Sequence, residues 1–217
     1  MNLWGSSTYD CVGSSKPAET CTDTELIVPL AKLDRERIGS VASGLKPRGE
    51  TPLVLSTLAT IEDLQIAKGG TVILVTDGEE SCKGDLKAAA ATLKESGLDV
   101  TLNIVGFTLT GQAVKGQLTT LAGSTGGRYF GASSGNELAN AIRLAALPRM
   151  PFDLLDATGR VVLTGNTGEP GRELPNGDYR IRVKSPGGLL EDKLTIAPNR
   201  LTTVSFAFEG DKLVIRH

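Results

Sequence analysis

Histidine is nearly missing from this sequence: one residue in 217, and that one is the last, His217. Acid–base or triad chemistry built on imidazole is therefore nearly excluded. Cysteine is scarce too, and Cys11, Cys21 and Cys82 match no zinc-ligand spacing. There is no excess of basic charge, since 23 Lys and Arg face 25 Asp and Glu. Nucleic acid and anionic membrane surfaces are thus not expected as partners. No apolar run approaches the length of a bilayer span, so membrane insertion is not expected. The opening MNLWGSSTYD has neither a basic n-region nor an apolar h-region, so no signal peptide is expected in the sequence as written.

What is present reads as two kinds of pattern in succession. Up to residue 147, short apolar runs alternate with stretches of helical period, which implies βα units and a mostly parallel, doubly wound sheet. Strands are predicted at 2–8, 24–30, 71–76, 99–107 and 128–132. Helices are predicted at 34–45, where Asp34 suits the N-cap, and at 52–67, 84–97, about 111–127 and 136–147. Residues 148–151, PRMP, form a short stiff linker. From 152 to 217 the helical period disappears. Six short alternating runs are separated by turn residues such as Ala157-Thr158-Gly159, Pro175-Asn176-Gly177 and Glu209-Gly210-Asp211. That is the pattern of a small antiparallel β-sandwich.

The stretch that concentrates chemistry is TVILVTDGEESC, residues 71–82. Its β-branched and leucine run reads as a strand buried on both faces. Asp77 then stands at the strand's carboxyl end, where open α/β sheets collect ligands. Glu79 and Glu80 follow, and three neighbouring carboxylates call for either full solvation or a hard cation. Thr51 precedes a proline at the start of a predicted helix, where an ordinary N-cap is the simplest role. Cys11 and Cys21 flank a polar segment that a disulfide could close; Cys21 with Cys82 is the rival pairing, and three free thiols are the third option.

Taken together, GETPL around Thr51, VILVTDGEESC around Asp77, IVGF at 104–107 and LAGSTGGRYFGASSGNEL at 121–138 resemble the von Willebrand factor type A (VWA) domain. Within it they are most similar to a bacterial group with a DGxExC stretch and a small C-terminal β domain. The resemblance covers residues 1 to about 147 and implies a Rossmann-like fold. It also implies a metal-ion-dependent adhesion site, usually holding Mg²⁺ (or Mn²⁺ or Ca²⁺), completed by an acidic residue of a protein ligand. Such a site draws on a D-x-S-x-S motif, a Thr and an Asp; here Thr51 and Asp77 match the second and third, with Glu79 as a further candidate. No D-x-S-x-S occurs in the chain. The expectation is therefore a domain truncated before its first central strand, with weak or absent cation binding. The implied function is a non-enzymatic protein-binding module, extracytoplasmic in its full-length form. The alternatives are a scaffold whose cation site has been lost and, from another class, a metal-dependent hydrolase using Asp77, Glu79 and Glu80.

Overall fold

A computed structural model describes residues 8–10, 21–22, 24–31, 34–44, 50–169 and 171–217. Cys11 and most of the strand expected at 2–8 lie outside them. Contacts divide the chain into two compact units, Met1–Ser134 and Gly135–His217. Mixed α/β content around a parallel sheet, followed by antiparallel β structure, agrees with the coarse expectation.

In the first unit, β1 (Thr8–Asp10) pairs antiparallel with β2 (Glu25–Val28) as a two-stranded sheet of its own. Helix α1 (Arg35–Gly44) starts where Asp34 accepts a hydrogen bond from the Arg37 N–H at 3.0 Å, the capping role its sequence suggests. Helix α2 (Leu53–Ala67) buries Leu53, Thr57, Thr60 and Leu64. Leu55 of the same helix is 39% exposed. Thr60 tolerates the buried face because its hydroxyl bonds back to the Thr57 carbonyl at 2.7 Å, whereas the Thr57 hydroxyl is buried there without a partner among the described residues.

Strand β3 (Gly69–Thr76), helix α3 (Leu86–Glu95), strand β4 (Asp99–Phe107), helix α4 (Gln112–Ser124) and strand β5 (Tyr129–Ala132) complete the unit. The sheet is parallel in the order β3-β4-β5, with Thr76 opposite Gly106 and Gly106 opposite Gly131. β4 is central, and its Leu102, Ile104 and Val105 are fully buried. Leu102 and Ile104 face a core built with Leu53 and Leu64 of α2, Leu93 of α3, and Leu118 and Leu121 of α4. The strand read as buried on both faces behaves otherwise. Among the described residues β3 pairs with β4 alone, and Val75 is 46% exposed. A β-branched run marks strand propensity; burial on both faces also needs neighbours on both sides.

The second unit opens with α5 (Gly135–Ala145) and continues as β6 (Pro151–Leu155), β7 (Val161–Asn166), β8 (Gly177–Ser185) and β9 (Gly188–Ile196), an antiparallel sheet in the order β7-β6-β8-β9. A hairpin, β10 (Ser205–Glu209) with β11 (Lys212–Arg216), shares its core: Leu154, Ile181, Val183 and Leu194 pack with Phe206, Leu213 and Ile215. The turns predicted at Ala157-Thr158-Gly159 and Glu209-Gly210-Asp211 are found, with Gly159 and Gly210 at positive φ, whereas Pro175-Asn176-Gly177 is only a bend that leads into β8. Arg143 of α5 donates to the Gly210 carbonyl at 2.9 Å, pairs with Asp211 at 3.2 Å and lies 4.0 Å from the Phe208 ring centroid. The helix read from sequence as the last of the α/β domain thus packs on the C-terminal hairpin. No helix among the described residues is long and apolar enough to cross a membrane.

Candidate functional site at the carboxyl end of the parallel sheet

β3 ends in a turn that its own last residue closes. The Thr76 hydroxyl donates to the Gly78 carbonyl at 2.9 Å and accepts from the Gly78 N–H at 3.2 Å. Asp77 is carried at the apex of this turn with an exposed side chain, beyond the carboxyl end of the sheet where α/β proteins hold ligands.

Thr51 arrives beside it from the other side of α2. A methyl group built on Gly78 would lie 3.3 Å from the Thr51 hydroxyl oxygen, so the hydroxyl sits directly over that glycine. Two backbone links hold it there: the Thr51 N–H donates to Ser81 Oγ at 2.7 Å, and the Ser81 N–H donates to the Thr51 carbonyl at 3.2 Å. The ordinary capping role does not apply to Thr51. The residue flanking α2 is Pro52, which offers no side-chain hydrogen bond to cap the helix.

The cap comes from 26 residues away. Glu80 accepts the Val54 N–H on one carboxylate oxygen at 2.8 Å and the Cys82 N–H on the other at 2.7 Å. A carboxylate at a helix N-terminus satisfies a donor that has no intrahelical partner and lies favourably in the helix dipole. Close packing permits this reach. A Cβ on Gly84 would fall 2.6 Å from Val54 and 3.0 Å from the Glu80 carboxyl carbon, so only glycine lets the segment lie against the helix. Sequence reasoning grouped Glu80 with the acids of an open cluster and missed this role. The signal was negative: α2 begins without a capping residue of its own.

One end of the segment is also fixed covalently. Cys82 is bridged to Cys21, with Cα atoms 5.4 Å apart. The Cys11–Cys21 pairing is therefore corrected to its rival: Cys21 is consumed by Cys82, which the chain brings beside it.

A divalent cation such as Mg²⁺ asks for near-octahedral oxygen coordination. Thr51 and the Asp77 turn offer side-chain oxygens on adjoining segments, and Glu79 is exposed next to them. Glu80 has both oxygens committed to backbone N–H groups. No group of three or more His, Cys, Asp or Glu side chains converges among the described residues. Among the described residues, Thr51, Asp77 and Glu79 are the side chains at this end of the sheet that could contribute oxygens to a cation.

No family model matches the chain. Among curated proteins it is similar to the uncharacterized protein YwmD of Bacillus subtilis (strain 168), 35% identical over 132 residues, or 58% of each chain. It is also similar to the uncharacterized protein YwmC of the same organism, 30% identical over 133 residues, 60% of this chain and 56% of that one. The chain thus spans a little over half the length of these relatives.

Proposed function

We propose that this chain is a non-enzymatic protein-binding module of the von Willebrand factor type A kind, its doubly wound α/β domain carrying an adhesion-type cation site of which Thr51 and Asp77 are the part present. The observation that carries the reading is the placement of Thr51 over Gly78. Two segments far apart in sequence are tied together so that a hydroxyl and a carboxylate-bearing turn share one end of a parallel sheet. The expected ligand is a protein that supplies an acidic residue to the cation. The Cys21–Cys82 bridge supports extracytoplasmic placement, because disulfides persist in oxidising compartments.

A second reading is a scaffold whose cation site has been lost; it is favoured by Glu80, whose two oxygens are both committed to backbone N–H groups and so serve the backbone rather than a cation. The hydrolase reading has less support. Of the three carboxylates it would use, Glu80 has both oxygens engaged by backbone N–H groups, which leaves Asp77 and Glu79 without the third acid that the reading assigns.

Calorimetric titration with Mg²⁺ and Mn²⁺ separates these readings, using this chain beside a longer version that carries a D-x-S-x-S strand. The expected result is weak or no binding here and clear binding in the longer form, lost in Asp77→Ala. Micromolar affinity in this chain would refute the view that its site is incomplete. Absence of binding in both would refute the cation-dependent function.

A further inference from the structure

We propose that Glu80 is the positioning residue of this site and that the Cys21–Cys82 bridge keeps it in place, so that the setting of Thr51 against the Asp77 turn is under redox control. This regulation rests on the binding role proposed above; the placement of Glu80 does not.

Three hydrogen bonds join the start of α2 to the segment after β3: the Val54 N–H donates to Glu80, and two run between Thr51 and Ser81. A fourth, from the Cys82 N–H to the other Glu80 oxygen, lies within the segment and orients the carboxylate. Val54 and Thr51 lie on either side of Pro52, so whatever fixes Val54 also fixes Thr51. Cys82 closes this arrangement: its N–H occupies one Glu80 oxygen, and its sulfur is tied to Cys21, just before β2. The bridge therefore anchors the far end of a short segment that otherwise depends on hydrogen bonds at a partly exposed surface. Both cysteines are half-buried, within reach of a small dithiol.

Reduction proceeds by thiol–disulfide exchange. A thiolate of a dithiol reductant attacks one sulfur of the bridge, forms a mixed disulfide and expels the other cysteine as thiolate. The second thiol of the reductant then displaces the first cysteine. The reductant leaves as a disulfide, and the protein gains two electrons and two protons as two thiols. Cys82 is then free to move away, the second acceptor contact of Glu80 is lost with it, and the Thr51 segment loosens.

The test is amide NMR on the full chain without added cation, comparing the oxidised protein, the protein reduced with dithiothreitol, and oxidised Glu80→Gln. Gln has one acceptor oxygen where Glu has two, so one of the two N–H groups loses its partner. Expected in Glu80→Gln is amide exchange about tenfold faster or more at Val54 or Cys82, the size of effect that follows from losing a hydrogen bond to a charged group. The Thr51 and Gly78 signals should move with it. Reduction should move the same four signals in the same direction while the Leu102 and Ile104 signals of β4 keep their positions.

Unchanged Val54 and Thr51 signals in Glu80→Gln would overturn the positioning role. Changes on reduction confined to Cys21 and Cys82, or a reduced chain that does not fold, would overturn the redox control. Because no cation enters the measurement, a positive result here beside a failed titration would sink only the binding function.

Discussion

Removing the Cys21–Cys82 bridge with a Cys21→Ala/Cys82→Ala double substitution should destabilise the first unit by about 4 kcal/mol, the chain-entropy value for cross-linked residues 61 apart. Replacing both cysteines leaves one thiol, so no substitute disulfide can form within the chain. Against a total of about 5–15 kcal/mol for an ordinary domain, this is a large share. The bridge encloses β2, α1, α2 and β3, so the effect belongs to the first unit. Urea denaturation followed by ellipticity at 222 nm reports this unit through α2, α3 and α4. With an m-value of about 2 kcal/mol/M, the midpoint should fall by about 2 M. A β-sensitive probe of the second unit should keep its midpoint. A fall of less than about 0.5 M would refute the reasoning, because it would mean that the unfolded chain is not constrained by the cross-link. Equal falls in both transitions would refute the assignment of the effect to one unit.

Two further outcomes follow from single groups. The Tyr129 hydroxyl is buried without a hydrogen-bond partner among the described residues, and burial pushes its pKa up. Tyr129→Phe should therefore raise thermal stability, by about 1 kcal/mol, whereas a loss of that size would show that the hydroxyl has a partner, such as a bound water. In the turn after β6, Asp156 accepts hydrogen bonds from the Thr158 hydroxyl and from the Thr158 and Arg160 N–H groups. The Thr158 hydroxyl foremost, then the Arg160 N–H, holds its carboxyl below the usual carboxylate range. A lowered folded-state pKa stabilises fully above the unfolded value, about 3.9, and that stabilisation is lost as pH falls through the folded value. Asp156→Ala should thus destabilise the second unit at neutral pH and differ progressively less from the parent in acid; a difference in urea midpoint that persists unchanged to pH 2 would contradict this.

Much of the secondary structure was legible because it follows from local rules. β4 reads as a strand from its own residues, α3 starts where Asp85 caps it through Lys87 and Ala88, and the hairpins turn at their glycines. Position within the sheet was less legible. Residues 71–76 have the composition of a central strand, yet β3 pairs on one side among the described residues, and pairing is a property of neighbours rather than of composition. The contact between Thr51 and the Asp77 turn could be expected only through resemblance to a family. The role of Glu80 could not be read even so, because a cap supplied across 26 residues has no spacing signature. Cysteine pairing stayed open for the same reason: three residues permit several bridges until the chain brings two of them together.

The grip of Arg143 on Phe208, Gly210 and Asp211 bears on how this molecule can be taken apart and recombined. A seam placed at the proline-rich segment 148–151 looks natural, but it would separate α5 from the hairpin it clasps. The β unit would be left with an uncovered aromatic ring and an acid without its cation. A seam before Gly135 lets the helix travel with its strands, so a graft of this unit onto another protein should start there.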